Sequence, residues 1–136
     1  MSLSCKLWST TGLVHCLVGL AIPELRDPLL RVLTEGTTEV SNNIADRYER
    51  EATVWFQVAG IMMILQAWAW KEWVNVTRRE ELPRWWGWSL TLMGIGGVKI
   101  MPRSGFWLVL AQGLRIVWRT SHGKLGDTTS MKSKMI

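Results

Sequence analysis

The chain has 136 residues, of which 48% are hydrophobic and 20% are charged. This length suits one compact domain and is too short for two. A formal net charge of +5 is compatible with nucleic-acid binding, but the acids cluster in one segment and the bases flank other segments, as membrane topology produces. We therefore expect no nucleic-acid partner.

The two cysteines, Cys5 and Cys16, do not predict a disulfide framework. On one helix their Cα atoms would be ~16 Å apart at about 1.5 Å per residue, beyond the roughly 7 Å limit for a disulfide. The sequence contains no C-x-x-C, H-x-x-x-H or phosphate-binding glycine motif. It therefore predicts neither a metal site nor a cofactor.

The first apolar segment, residues 7–23, has no Asp, Glu, Lys or Arg. It is about the minimum length for a membrane-spanning helix, roughly 17 residues. The alternative is a cleaved signal peptide, with Lys6 as its basic region and Gly19-Leu20-Ala21 as a small-residue cleavage site. Polar residues such as His15 make the segment a poor signal core, so a first span is the preferred interpretation.

Residues 24–51 form a polar segment with seven acidic and four basic side chains. Asp27-Pro28 predicts a helix start, because an oxygen acceptor precedes a proline at the first helical position. Gly36 predicts the end of that short amphipathic helix. The polar residues 41–43 predict the cap of a second helix, which continues into the next apolar segment.

Three further apolar segments follow, at residues 52–70, 85–101 and 105–118. The first of them has nineteen residues without a charge and is the strongest spanning signal. Residues 71–84 form a charged linker, and residues 120–136 predict a disordered tail. No segment alternates as a transmembrane strand would. The sequence therefore predicts an all-α fold, a four-helix transmembrane bundle over residues 1–119 with a polar non-cytoplasmic loop between helices 1 and 2.

The basic residues predict the orientation, because they favour cytoplasmic loops. With four spans, the N-terminus, the 71–84 linker and the tail share one side. The basic residues there are Lys6, Lys71, Arg78, Arg79, Arg84, Arg119, Lys124, Lys132 and Lys134. This bias predicts a multi-pass protein with both termini cytoplasmic. The ten tryptophans agree, because all fall near a predicted membrane boundary, where tryptophan is enriched.

His15 lies near the middle of the first predicted span, on a face shared with Trp8, Gly12 and Gly19. Small residues on that face let another helix come close. An ionisable group at such depth is by default a functional candidate facing the bundle interior. The alternative is a neutral histidine that is hydrogen-bonded to a neighbouring helix.

Lys99 and Arg115 lie within about one turn of a predicted helix end, so both side chains are expected to snorkel to the interface. Against this, a polar stripe containing Gln112 and Arg115 suits a bundle interior. Small residues on the third span predict a helix-packing face. They are Gly87, Thr91, Gly94 and Val98.

The non-cytoplasmic mouth of the predicted bundle gathers candidate acids and bases. They are Glu24, Asp27, Asp46, Tyr48, Lys99 and Arg103. Carboxylates near a partly apolar cavity can have raised pKa values and take part in acid–base catalysis. The alternative is an ordinary solvated loop that is rich in charge.

The run Met101-Pro102-Arg103-Ser104-Gly105-Phe106-Trp107 is the most distinctive piece of sequence. With Gly87-Trp88, Trp55-Phe56 and His15, it resembles a family of small four-helix membrane proteins of bacteria and fungi, catalogued as a domain of unknown function. The resemblance covers roughly residues 7–118. Lys99 departs from it, because the family is usually apolar there, and this difference marks a specialised member.

In size and character the chain also resembles the epoxide-opening hydrolases of fungal polyketide pathways, of the citreoviridin and aurovertin type. This resemblance implies a membrane-embedded hydrolase or cyclase acting on a lipophilic small molecule. Asp46 or Asp27 would activate water or a substrate hydroxyl, and His15, Tyr48 or Lys99 would donate a proton to the departing oxygen. The alternative is a non-catalytic scaffold, accessory subunit or small carrier, with homo-oligomers formed through the small-residue stripes.

Overall fold

A computed structural model describes residues 2–37, 43–102 and 104–133, with side chains up to His122. In this part of the chain every regular element is an α-helix. The helices are α1 (Leu3–Ala21), α2 (Pro23–Glu35), α3 (Ile44–Thr77), α4 (Arg84–Ile100) and α5 (Phe106–Ser133). The predicted all-α class is confirmed for the described residues, and the short helix predicted within the polar segment is present as α2.

A sharp break separates α1 from α2. Proline disfavours the helical conformation in the residue before it and is well tolerated at the first position of a helix. Ile22 is accordingly extended, with φ −84° and ψ 119°, and the two helices meet at 83°. The helix start predicted at Asp27-Pro28 is wrong, because Pro23 already begins α2 and Pro28 lies inside it. Gly36 ends α2 as predicted, with a φ of 76°.

The helix α3 runs without interruption for 34 residues. Asn43 caps its start, accepting a hydrogen bond from the Ala45 N–H at 3.0 Å; residues 41 and 42 of the predicted cap lie outside the described part. The helix passes through the whole apolar segment 52–70 and into the predicted linker. It ends before Arg78, whose φ is 52°.

Length and hydropathy single out α3 as the one described helix that qualifies as a membrane span by itself. The bent pair α1 and α2 passes the same test when the two helices are taken together. The finer prediction of four spans thus remains a hypothesis about α1, α4 and α5.

The chain divides into two compact units, and the division falls within α1 and α3. The first unit is Trp8–Trp68, and the second comprises Met1–Leu7 and Ala69–Ile136. In the first unit, α1 and α3 approach until their backbones touch. A Cβ atom on Gly12 would lie 2.7 Å from the Gly60 carbonyl oxygen, and one on Gly60 would lie 3.1 Å from the Gly12 oxygen. The predicted close approach of a helix to the Gly12 face is therefore confirmed, and the neighbour is α3.

In the second unit, α4 and α5 form a similar pair. A Cβ atom on Gly94 would lie 2.6 Å from the Leu110 Cα atom, and one on Gly87 would lie 2.9 Å from the Val117 backbone nitrogen. Between them, the Thr91 hydroxyl donates to the Gly87 carbonyl at 2.8 Å, so this buried polar group is satisfied within its own helix. The predicted small-residue face is thus the contact surface of α4 with α5.

The helix α5 continues to Ser133. The sequence instead predicted that the fourth span ends at residue 118 and that a disordered tail starts at residue 120. The hydroxyls of Thr120 and Ser121 bond to the carbonyls of Ile116 and Val117, at 2.8 Å each. Side chains that bond back one turn are compatible with a continuous helix. The structure thus has helix at residues 120–133, while residues 134–136 lie outside the described part.

Two glycines of α4 provide a matched test of this packing. In Gly94→Ala the new methyl group meets the backbone of α5, whereas a Cβ atom on Gly96 has no atom within 4 Å. We expect Gly94→Ala to lower the free energy of unfolding by about 1–3 kcal/mol through overpacking. Gly96→Ala should raise it by roughly 0.4–1 kcal/mol through helix propensity. Unfolding of the purified variants in detergent measures both changes, and equal effects would contradict the close contact.

Candidate functional site

His15 lies at the glycine contact between α1 and α3. Its ring stacks on the Phe56 ring, with centroids 3.8 Å apart and planes inclined by 15°. The Nε2 atom is buried and has no hydrogen-bond partner among the described residues. An unpaired buried polar atom costs about 1–3 kcal/mol, so this position favours a hydrogen-bonding partner.

Hydrogen bonds around His15 set the register of α1 along α3. The Gln57 side-chain amide donates to the Cys16 carbonyl at 3.4 Å, and the Cys16 thiol donates to the Gln57 carbonyl at 3.8 Å. Two turns earlier in α1, the Trp8 indole N–H donates to the Gln66 side-chain oxygen at 2.9 Å. Sequence reasoning missed both glutamines. Their signal was available, since they are uncharged amides within the strongest apolar segment.

Asp46 lies in a cluster of four charged side chains that joins α2 to the start of α3. Its two carboxylate oxygens pair with Arg31 at 3.0 Å and with Arg50 at 2.9 Å. Arg50 also donates to Glu35 and is only 5% exposed. Its hydrogen bonds to Glu35 and then Asp46 raise the pKa of the Arg50 guanidinium above its ordinary value. The Asp46–Arg50 spacing of four residues was the sequence signal for this pair.

The structure does not place Asp46 and His15 close enough to act on the same substrate atoms. Both Asp46 oxygens are engaged by guanidinium groups. Asp46 and Phe56, on which His15 stacks, are ten residues apart on the unbroken helix α3. At about 1.5 Å per residue this is ~15 Å along the axis, too far for both groups to reach a single reacting bond.

The other predicted acid and base groups within the described residues are exposed side chains. Asp27 is 58% exposed and pairs with its neighbour Arg26, and Tyr48 is 68% exposed on α3. Lys99 is exposed on α4 in the second unit. Arg103 lies outside the described residues. Within the described part, no group of three or more His, Cys, Asp or Glu side chains is arranged to hold a metal ion.

Arg115 does not behave as the snorkelling prediction requires. Its Nη1 atom donates to the Ser4 hydroxyl at 2.6 Å and faces a Glu81 oxygen at 3.5 Å. The Arg115 and Glu81 side chains are 22% and 10% exposed, so this arginine is partly buried and paired with other parts of the chain. Sequence reasoning missed Glu81, because its partner is 34 residues away.

Two aspartates allow a matched test of the charged cluster. Asp46→Asn leaves the Arg50 guanidinium buried with one carboxylate fewer, whereas Asp27→Asn removes one exposed pair between sequence neighbours. We expect Asp46→Asn to destabilise the docking of α2 by about 1–3 kcal/mol and Asp27→Asn by less than about 1 kcal/mol. Hydrogen exchange of the α2 amides in detergent measures this. Equal protection of α2 in both variants would mean that the cluster does not hold α2.

A comparison with protein families matches the chain to a family of unknown function (DUF6463) over residues 2–123. No curated protein matches the chain, and no solved structure matches it. The family match covers the helices α1 to α4 completely and α5 as far as residue 123. Because this is most of the sequence, the chain belongs to the DUF6463 family.

Proposed function

We propose that the chain is a multi-pass membrane protein that crosses the bilayer four times with both termini cytoplasmic. The distribution of apolar side chains supports this proposal. Only 17% of the apolar window of α3 is buried inside the protein, whereas the core helix of a water-soluble protein is mostly buried. Large apolar side chains are exposed along α1, α3, α4 and α5. They include Leu13, Leu17, Ile61, Leu65, Leu92, Ile95 and Leu114.

Helix lengths are compatible with the proposed spans. At about 1.5 Å per residue, α1 is ~28 Å long and α4 is ~25 Å long, close to the ~30 Å hydrocarbon core. The longer helix α3 extends at both ends beyond its uncharged stretch and carries charged residues there. Lys99 lies in the last turn of α4, where a long side chain reaches the interface.

Labelling of introduced cysteines tests this topology. In a Cys5→Ser, Cys16→Ser background, Glu24→Cys and Glu80→Cys place single thiols in the first polar segment and in the 71–84 linker. A membrane-impermeant maleimide should label Glu80→Cys only from the cytoplasmic side and Glu24→Cys only from the opposite side. Labelling of both positions from one side would contradict four spans, and a chain soluble without detergent would contradict membrane insertion.

We further propose that His15 acts on a lipophilic small molecule that enters from the bilayer. The observation that carries this proposal is the buried Nε2 atom, which has no partner in the described part of the chain. A substrate oxygen would supply the missing hydrogen bond and remove the cost of leaving the atom unpaired. The stack on Phe56 and the paired hydrogen bonds of Gln57 hold the ring at this position, as general acid–base catalysis requires.

The reaction we propose is the opening of an epoxide by water or by a hydroxyl of the same substrate. As the new C–O bond forms, the Nε2 atom of neutral His15 accepts the proton of the attacking oxygen. The epoxide C–O bond breaks, and the imidazolium returns the proton to the departing oxygen. With water the product is a diol, with an internal hydroxyl it is a cyclic ether, and the histidine is regenerated.

Turnover by membranes containing the full chain tests this role. We expect wild-type membranes to convert one or more of a panel of lipophilic epoxides, detected by mass spectrometry as diols or cyclised isomers. His15→Gln should slow the reaction by on the order of 10²–10⁴-fold, the usual contribution of a general acid or base. Val14→Ala, on the exposed side of α1, is the control. Unchanged turnover in a folded His15→Gln variant would refute the assignment.

The engagement of Asp46 favours a second candidate, a non-catalytic carrier, scaffold or accessory subunit. A carboxylate with both oxygens in ion pairs is better explained as a structural group than as a base. A carrier would retain a lipophilic ligand without changing its mass, and the same mass-spectrometric experiment distinguishes this outcome from turnover.

A further inference from the structure

The second unit contains a cavity of about 920 Å³. It lies between the loop that follows α3 and the part of α5 around residues 118–122. Two chain segments form its wall, residues 79–84 and residues 118–122. Cationic and amphipathic side chains are concentrated there. They are Arg79, Arg84, Arg119, His122 and Trp118.

The balance of charge in this cavity is positive. Three arginines line it together with two acids, Glu80 and Glu81. Glu81 is already opposed by Arg115 at 3.5 Å, so it compensates the lining arginines only in part. Arg79 lies over the Trp73 ring at 5.4 Å, a cation–π arrangement. The cavity thus has an excess of hydrogen-bond donors that carry positive charge.

The start of α4 adds to this charge. Pro83 stands at the N-cap position and provides no side-chain hydrogen bond to the helix. The first N–H groups of a helix have no partner within it, and they bear part of the positive end of the helix dipole. Pro83 and Arg84 both line the cavity, so the positive end of the α4 dipole lies next to it.

We propose that this cavity binds a phosphate group, and that its source is the headgroup of an anionic phospholipid. The guanidinium group matches two phosphate oxygens at once, which makes arginine the preferred side chain for such recognition. The assignment of the phosphate to a lipid rests on the proposed membrane function, whereas the presence of an anion-binding site does not. Trp85 and Trp118 are exposed beside the cavity, and tryptophan at the level of the headgroups is typical of an interface.

Native mass spectrometry of the full chain, delipidated in an uncharged detergent, tests the proposal. We expect wild type to retain phosphatidic acid in preference to phosphatidylcholine. Arg84→Gln and Arg119→Gln should each weaken this binding by on the order of tenfold, as expected when one charge-assisted hydrogen-bonding group is lost. Both arginines are exposed, so neither substitution disturbs the core.

Arg78→Gln is the matched control. It removes the same charge from the same loop, but Arg78 does not line the cavity, so binding should remain nearly unchanged. Equal retention of both lipids, or equal loss in all three variants, would overturn the site.

A competition experiment with inorganic phosphate distinguishes a lipid headgroup from free phosphate as the ligand. Displacement of phosphatidic acid only at a large excess of phosphate supports the lipid headgroup, whereas tight binding of inorganic phosphate alone would assign the site to the soluble anion. If the chain proves soluble without detergent, the membrane proposal fails, yet phosphate binding lost in Arg84→Gln would still support the anion site.

Discussion

The contact of backbone with backbone at glycine is the constraint on which the rest of this structure depends. Where α1 meets α3, and where α4 meets α5, the added Cβ atoms would lie too close to the opposite helix. Packing at this distance brings many backbone atoms into van der Waals contact and needs no large side chain between the helices. The large apolar side chains are then left exposed on the outer faces of the helices.

The same contact explains why His15 is a candidate for function. A histidine between two helices separated by large side chains would have room to turn or to admit water. Here the neighbouring Gly12 and Gly60 bring the helices together, and the ring is held flat against Phe56. The helix pair therefore fixes the direction of a polar group while leaving its Nε2 atom without a partner in the described chain.

The two charged regions differ in whether their charges are balanced. Around Asp46, two carboxylates meet two guanidinium groups, and the most buried of them, Arg50, has both carboxylates as partners. Such a cluster is neutral and holds α2 in place. The cavity that includes Arg84 and Arg119 has more cations than available acids and is open to solvent. An unbalanced, accessible cluster attracts an anion, whereas a balanced, buried one serves the fold.

The sequence by itself determined the helical class, the apolar segments, the end of α2 at Gly36 and the close approach of a helix to Gly12. These features follow from local chemistry: glycine adopts a positive φ without strain, and residues three or four apart share a helix face. The misplaced start of α2 shows the limit of such rules. Asp27 before Pro28 offers a capping oxygen, yet α2 begins at Pro23, whose preceding residue Ile22 makes no side-chain hydrogen bond to the helix.

Only the tertiary structure decided which polar groups meet. The partner of Arg115 is Glu81, 34 residues away, so the same arginine that resembles a snorkelling side chain in sequence is partly buried and paired. Asp46 resembles a catalytic base until both its oxygens are seen to be engaged. Hydrogen bonding and burial depend on atoms that the fold brings together from distant positions, and a pattern along the chain does not contain those distances.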